Sequence, residues 1–171
     1  TSIHLAALDG IHNRLIPALQ HMHDQISLKA TEFLPVVKTG RTHLQDATPV
    51  RLGQEFEGYA GQIERGIDRL RASLERISEV ALGGTAVGTG VNTHPEFAKL
   101  VCDKLTEING FMVRETTNHF QAQSSLDAIV ECSGALKTIA VSLMKIANDI
   151  RWLGSGPRAG IGEIELPAVQ P

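Results

Sequence analysis

The sequence predicts an all-α fold, a bundle of long helices. Apolar residues recur at steps of three and four along three long stretches, 2–33, 49–82 and 124–150, and each such stripe marks one face of a helix. Aromatic residues make up only 4% of the chain, which suits packing by Leu, Ile and Ala better than a β-sandwich. The chain of 171 residues fits one domain, and a hydrophobic content of 42% can supply its core.

The first helix carries Leu8, Ile11, Leu15, Leu19, Met22, Ile26, Ala30 and Phe33 on one side. At 1.5 Å per residue its span is about 45 Å, a length typical of a bundle element. Pro17 lies inside it and is expected to kink it, and Gly10 is a second weak point. His21 and His23 are two residues apart and so do not face each other on a helix, which argues against a metal pair. His4 and His12 have no metal-binding spacing either. Pro35 ends the helix.

The second helix is expected over 49–82, with Leu52, Phe56, Tyr59, Ile63, Ile67, Leu70, Leu74, Ile77 and Ala81 inward. Its Glu, Asp and Arg residues from 64 to 76 have mixed signs and read as a solvated face. Residues 83–90 are glycine-rich, but a phosphate cradle would need a preceding strand and a Gly-Lys-Ser/Thr ending, and both are missing. A close crossing between helices is the expected use of these glycines. Thr93 to Glu96 reads as a capping box, followed by a short helix with Phe97, Leu100, Val101, Leu105 and Ile108 inward, stopped by Asn109-Gly110. Residues 111–123 read as irregular, and His119 has no visible partner. The last long helix starts near Ser124, with Leu126, Ile129, Ser133, Leu136, Ala140, Leu143, Ala147 and Ile150 on one stripe. It is apolar on most other sides too, so burial on most sides is expected. Residues 154–171 form a Gly/Pro-rich tail.

Between the first two helices lies Gly40-Arg41-Thr42-His43-Leu44-Gln45-Asp46-Ala47-Thr48-Pro49. Gly40 allows a tight turn. Thr48-Pro49 reads as a helix start, with Thr48 as N-cap and Pro49 at the first helical position. Thr42 thus offers a hydroxyl beside His43, whose imidazole titrates nearest neutral pH. A loop held by rigid elements is a common seat of catalysis. The plainer reading is a connection that happens to contain a histidine.

A net charge of −3 leaves no nucleic-acid footprint, and no stretch reads as a signal peptide or an uninterrupted membrane span. Cys102 and Cys132 match neither a CxxC pair nor a zinc spacing, so they are expected to be reduced structural thiols in a cytosolic protein.

The 40–49 segment resembles the signature loop of the fumarase/aspartase superfamily of lyases. Residues 81–95 resemble a second family segment, and residues 142–151 with Gly156-Pro157-Arg158 resemble the end of the family's central helix. Within the superfamily the chain is most similar to the class II fumarases, because aspartases typically carry Gln where this chain has His43. The resemblance implies a long-helix bundle shared in a homotetramer, with each active site built from three subunits. It implies reversible anti addition of water to fumarate, giving (S)-malate, without metal or organic cofactor, in the cytoplasm or, in a eukaryote, the mitochondrion. Thr42 matches the family's substrate-carboxylate hydroxyl, and His43 its acid/base histidine. The family's proton-abstracting serine, with a lysine and an asparagine that bind carboxylate, has no match here. The resemblance therefore implies that 1–171 is a partial central helical domain, with the N-terminal and C-terminal family regions outside it. A related lyase, such as aspartate ammonia-lyase or argininosuccinate lyase, and a non-catalytic helical assembly module are the alternatives left open.

Overall fold

The computed structural model describes residues 1–168; the last three residues of the expected tail lie outside the described part. Three long helical elements dominate it, as the apolar stripes predict. The first comprises α1 (Ser2–Asp9), a π-helical stretch (Gly10–Leu15) and α2 (Ile16–Phe33). The second is α3 (Leu52–Ile77), and the third is α6 (Asp127–Leu153). Between α2 and α3 stands a hairpin of β1 (Val37–Thr42) and β2 (Gln45–Arg51). Between α3 and α6 lie β3 (Glu79–Val80), α4 (Phe97–Asn109), β4 (Arg114–Glu115) and α5 (His119–Ser124).

α3 is the axis of the fold. Its inward residues Leu52, Phe56, Tyr59, Ile63, Ile67, Leu70 and Ile77 are all buried, with Leu74 packed at the margin. The preceding helix runs antiparallel to it. Its C-terminal end crosses α3 at Gly53, where an added Cβ would lie 2.3 Å from the Ala30 carbonyl oxygen. At the other end His4 Nδ1 reaches the Ile77 carbonyl at 2.9 Å, so this histidine finishes the C-terminal end of α3. α6 covers another side of α3, also antiparallel: Arg76 meets Glu131 at 3.3 Å, Ile139 packs on Gly66, and Lys145 sits 4.8 Å from the Tyr59 ring centre.

Several expectations are corrected. The Pro17 kink is a π turn: the Ile16 N–H donates to the Ile11 carbonyl, five residues back, and the next residue, Pro17, has no N–H to give. α3 begins at Leu52, not Pro49, because the Leu52 N–H bonds the Val36 carbonyl at 2.9 Å and the Gln54 side chain accepts from Arg51 N–H at 3.0 Å. It ends at Ile77, not Leu82, because residues 79–80 turn away to pair in parallel with 114–115, burying Val80. The box at Thr93 does not form. His94 Nδ1 accepts the Glu96 N–H at 3.2 Å instead, and α4 starts at Phe97. On α4 the buried residues are Ala98 and Cys102, while Phe97, Leu100 and Ile108 are exposed. Gly110 ends α4 with a φ of 73°, as the Asn-Gly signal predicts.

The stretch 111–123 is not irregular throughout, since it holds β4 and α5. The 83–90 loop is the seat of α5, and its glycines make room for side chains of that helix rather than for a crossing of two helices. A Cβ on Gly84 would lie 2.7 Å from Gln123 Oε1, and one on Gly88 would lie 2.9 Å from the Phe120 ring. α6 starts at Asp127 rather than near Ser124, whose hydroxyl donates to the Gln121 carbonyl at the end of α5. α6 buries the heptad Cys132, Ile139, Ile146 and Leu153, whereas the predicted Ser133, Leu136, Ala140 and Ala147 are exposed. Burial on most sides is not met within the chain, for Val130, Val141 and Met144 lie 60–67% exposed.

Candidate active site

The 40–49 segment is neither a loop nor a helix start. Val37 pairs with Arg51, Lys38 with Val50, Thr39 with Pro49, Arg41 with Asp46 and Thr42 with Gln45. Between Thr39 and Arg41 the register slips by one, so Ala47 and Thr48 together face Gly40. Gly40 is needed for close approach rather than for a turn, because a Cβ there would lie 2.5 Å from the Thr48 carbonyl oxygen. Pro49 is tolerated because a two-stranded sheet has only edge strands.

The turn itself is His43-Leu44, and both residues have positive φ, 53° and 61°. Positive φ at both central positions is the pattern of a type I′ hairpin turn, which favours Asn-Gly. Neither residue is glycine or asparagine. Each such non-glycine residue costs on the order of 1–3 kcal/mol, and such strain clusters at functional sites. Thr42 closes β1 beside this turn. Thr42, His43, Leu44 and Gln45 are all exposed, and neither Thr42 Oγ1 nor the His43 ring has a hydrogen-bond partner among the described residues. The structure thus brings Thr42 and His43 together at the tip of a hairpin, with donors and acceptors free.

What holds the hairpin was not read from the sequence. Lys38, with a side chain only 7% exposed, donates to both Glu55 carboxylate oxygens of α3 at 2.9 and 2.8 Å. Its ammonium also lies 2.5 Å from Glu163 Oε2, and Arg41 lies 2.7 Å from Glu163 Oε1. Simple alternation would send Lys38 and Arg41 to opposite faces; the twist at a bulge helps both converge on one carboxylate. The two cations and two carboxylates balance. They join the hairpin to α3 and to the segment after α6.

Apart from the exposed His21, the remaining histidines find structural partners. His119 Nε2 lies 2.9 Å from the Leu82 carbonyl and 3.3 Å from Glu115, so it fastens α5 to the glycine loop. His23 Nδ1 lies 3.0 Å from Asp24, and this contact holds the Asp24 carboxyl below its usual range. The His12 ring stands edge-on to Phe111. Cys102 and Cys132 are free and buried, and burial pushes both thiols up. No helix among the described residues is long and apolar enough to cross a membrane.

Comparison with known proteins matches the whole chain. A family model described as Lyase matches residues 1–171. The class II fumarate hydratase of Neisseria meningitidis serogroup A is 54% identical over 171 residues, which cover 100% of this chain and 37% of that protein. The mitochondrial fumarate hydratase of Danio rerio is 53% identical, again over the whole chain and 34% of its own length. Among solved structures, the recombinant class II fumarase from Schistosoma mansoni superposes with a TM-score of 0.97 at 34% identity, covering 100% of this chain and 39% of that one. The chain thus spans little more than a third of the relatives it matches.

Proposed function

The chain belongs to the lyase family, and on that premise we propose that it is the central helical part of a class II fumarate hydratase subunit. The reaction is the reversible addition of water to fumarate: a hydroxyl bonds to one alkene carbon, a proton to the other, and malate results. The observation that carries this reading is the side-by-side placement of Thr42 and His43 on the strained tip of a hairpin, both with free polar atoms. The Thr42 hydroxyl would donate to a substrate carboxylate. His43 would act as acid and base on the water oxygen, accepting its proton on addition and returning it on elimination. Removing the proton from carbon places a second negative charge on the neighbouring carboxylate, as an aci-carboxylate, and that charge needs further donors aimed at it. In this reading the serine base and the lysine and asparagine donors come from other parts of a longer polypeptide, which the one-third coverage supports.

The reading includes a homotetramer whose active sites are shared between subunits. Its support is the apolar surface left open on α6 at Val130, Val141 and Met144, and on α4 at Leu100 and Ile108. Exposed patches of this kind are unusual on soluble monomers. A cytoplasmic setting, or a mitochondrial one as for the Danio rerio relative, goes with it.

The test is turnover of the complete polypeptide with fumarate, aspartate and argininosuccinate in parallel, together with its His43→Asn variant. Hydration of fumarate alone, reduced roughly 10²- to 10⁴-fold in the variant, supports the proposal. Turnover of another substrate, or an unaffected variant, overturns it. Light scattering of the same sample reads the tetramer.

A further inference from the structure

Glu163 is the point at which two distant parts of the chain meet. It follows α6 in sequence, and its own N–H bonds the Leu153 carbonyl at 2.8 Å, which anchors it to the helix end. Its carboxylate, 15% exposed, takes Lys38 on one oxygen and Arg41 on the other. Both cations belong to β1, the strand that ends in Thr42. Arg41 is the residue immediately before Thr42 and two before His43. Glu163 Oε2 is fully enclosed, and the Lys38 ammonium, close as it is, is not aligned with it as a hydrogen-bond donor. That oxygen is therefore held by charge rather than by a directed bond. Its proper compensation depends on both cations staying in place.

The hairpin has little else to fix its inclination. It is only two strands wide, and such a unit is marginal without outside packing. Lys38 reaches α3 through Glu55, which fixes the base of the hairpin. The Arg41–Glu163 pair acts nearer the tip. Neutralising Glu163 would leave Arg41 unpartnered and free the last residues of β1 to swing.

We infer that Glu163 is a positioning residue, one that aims Thr42 and His43 by clamping Arg41 and Lys38 of the strand that carries them; the inference rests on the hydratase reading above. The glutamate touches neither substrate nor reacting atoms, and it acts through the inclination of the hairpin. A displacement of about 1 Å at a reacting group can cost roughly 10²-fold in rate.

The experiment uses the complete polypeptide, with Glu163→Gln, His43→Asn and the double variant. Glu163→Gln keeps the shape and removes the charge. The expected result is a kcat lowered roughly 10- to 100-fold, with unchanged helix content and oligomeric mass, and faster amide hydrogen exchange at residues 41–46. In the His43→Asn background the same change should cost clearly less, since the share of the effect that runs through His43 is already lost. A Glu163→Gln variant with parental kcat overturns the inference. So does an equal loss in both backgrounds, which marks a general structural role. If the parent polypeptide does not hydrate fumarate, the functional reading fails. The clamp is then still decided by hydrogen exchange: unchanged protection at 41–46 in Glu163→Gln refutes it, and lost protection confined to 41–46 sustains it.

Discussion

Gly40 faces Thr48 so closely that a Cβ on Gly40 would lie 2.5 Å from the Thr48 carbonyl oxygen. The neighbour is backbone, and it belongs to the bulge that sets the twist of the hairpin, so it cannot give way without moving β2. Gly40→Ala is expected to cost about 1–3 kcal/mol, the usual range for overpacking. Turnover of the complete polypeptide should fall with it, because the tip carries Thr42 and His43. Thermal unfolding and fumarate hydration of one preparation check both halves; an unchanged midpoint with unchanged turnover contradicts the assignment.

The conformation at His43 discriminates between substitutions. With a φ of 53°, the position suits Asn, which tolerates the left-handed region, and opposes a β-branched side chain. His43→Asn should keep the thermal midpoint of the parent while losing turnover. His43→Val should lose turnover and also lower the midpoint, by an amount corresponding to roughly 1–3 kcal/mol. Equal midpoints for the two variants would show that the turn does not hold this conformation in solution.

These two positions also show where the sequence was readable and where it was not. The stripe from Leu52 to Ile77 was legible because a helix packed on both flanks repeats its apolar residues with the period of its turns. The hairpin was not. Its turn lacks the Asn-Gly or Gly-X signal, and Thr48-Pro49 imitates a helix start although both residues lie in β2. α6 was legible as a helix but not in its orientation, because an apolar residue stands on almost every side and the period cannot select Cys132 and Ile139 over Leu136 and Ala140. Thr42 and His43 were found from residue type and resemblance. Their support by Lys38, Glu55 and Glu163 joins residues far apart in the chain, and charge pairing at such a separation leaves no local pattern.

The α2–α3 crossing should be the least tolerant glycine site in the bundle. At Gly53 an added Cβ meets three backbone atoms of α2 and the residue after it, at 2.3, 2.6 and 2.7 Å. Gly53→Ala is expected to destabilise by about 3 kcal/mol, at the upper end of the overpacking range. Gly58, five residues further along α3, would meet nothing within 4 Å. Within the chain, Gly58→Ala gains helix propensity and should add up to about 1 kcal/mol. Denaturant midpoints of the two variants separate these outcomes.

Alkaline pH should unfold the chain early. Burial raises the Cys102 and Cys132 thiols above the ordinary 9.0 and raises the Tyr59 phenol well above 10.0, with Asp149 and Glu55 adding to the latter. Groups raised on folding favour the protonated native state. Their contribution is complete below the unfolded-state values and is lost as pH rises through the folded ones. Stability should therefore hold to about pH 9 and decline above it. Tyr59→Phe should flatten the part of the decline above pH 10. For the same reason, both thiols should resist iodoacetamide at neutral pH and react together only when the protein unfolds.

The π turn at Gly10–Leu15 has a consequence for the length of the chain. A wider turn takes up one residue more than an α-helix needs for the same path, so it works as a phase offset between the two ends of the helix. Closing this stretch into ordinary α-helical turns with every residue kept would rotate everything before it by about 100°. His4 would swing away from the Ile77 carbonyl, and Leu8 out of the core, while Leu19 and Ile26 kept their places. The segment is thus a built-in insertion. The end of α3 meets the right face of its neighbour because the wide turn absorbs that extra residue.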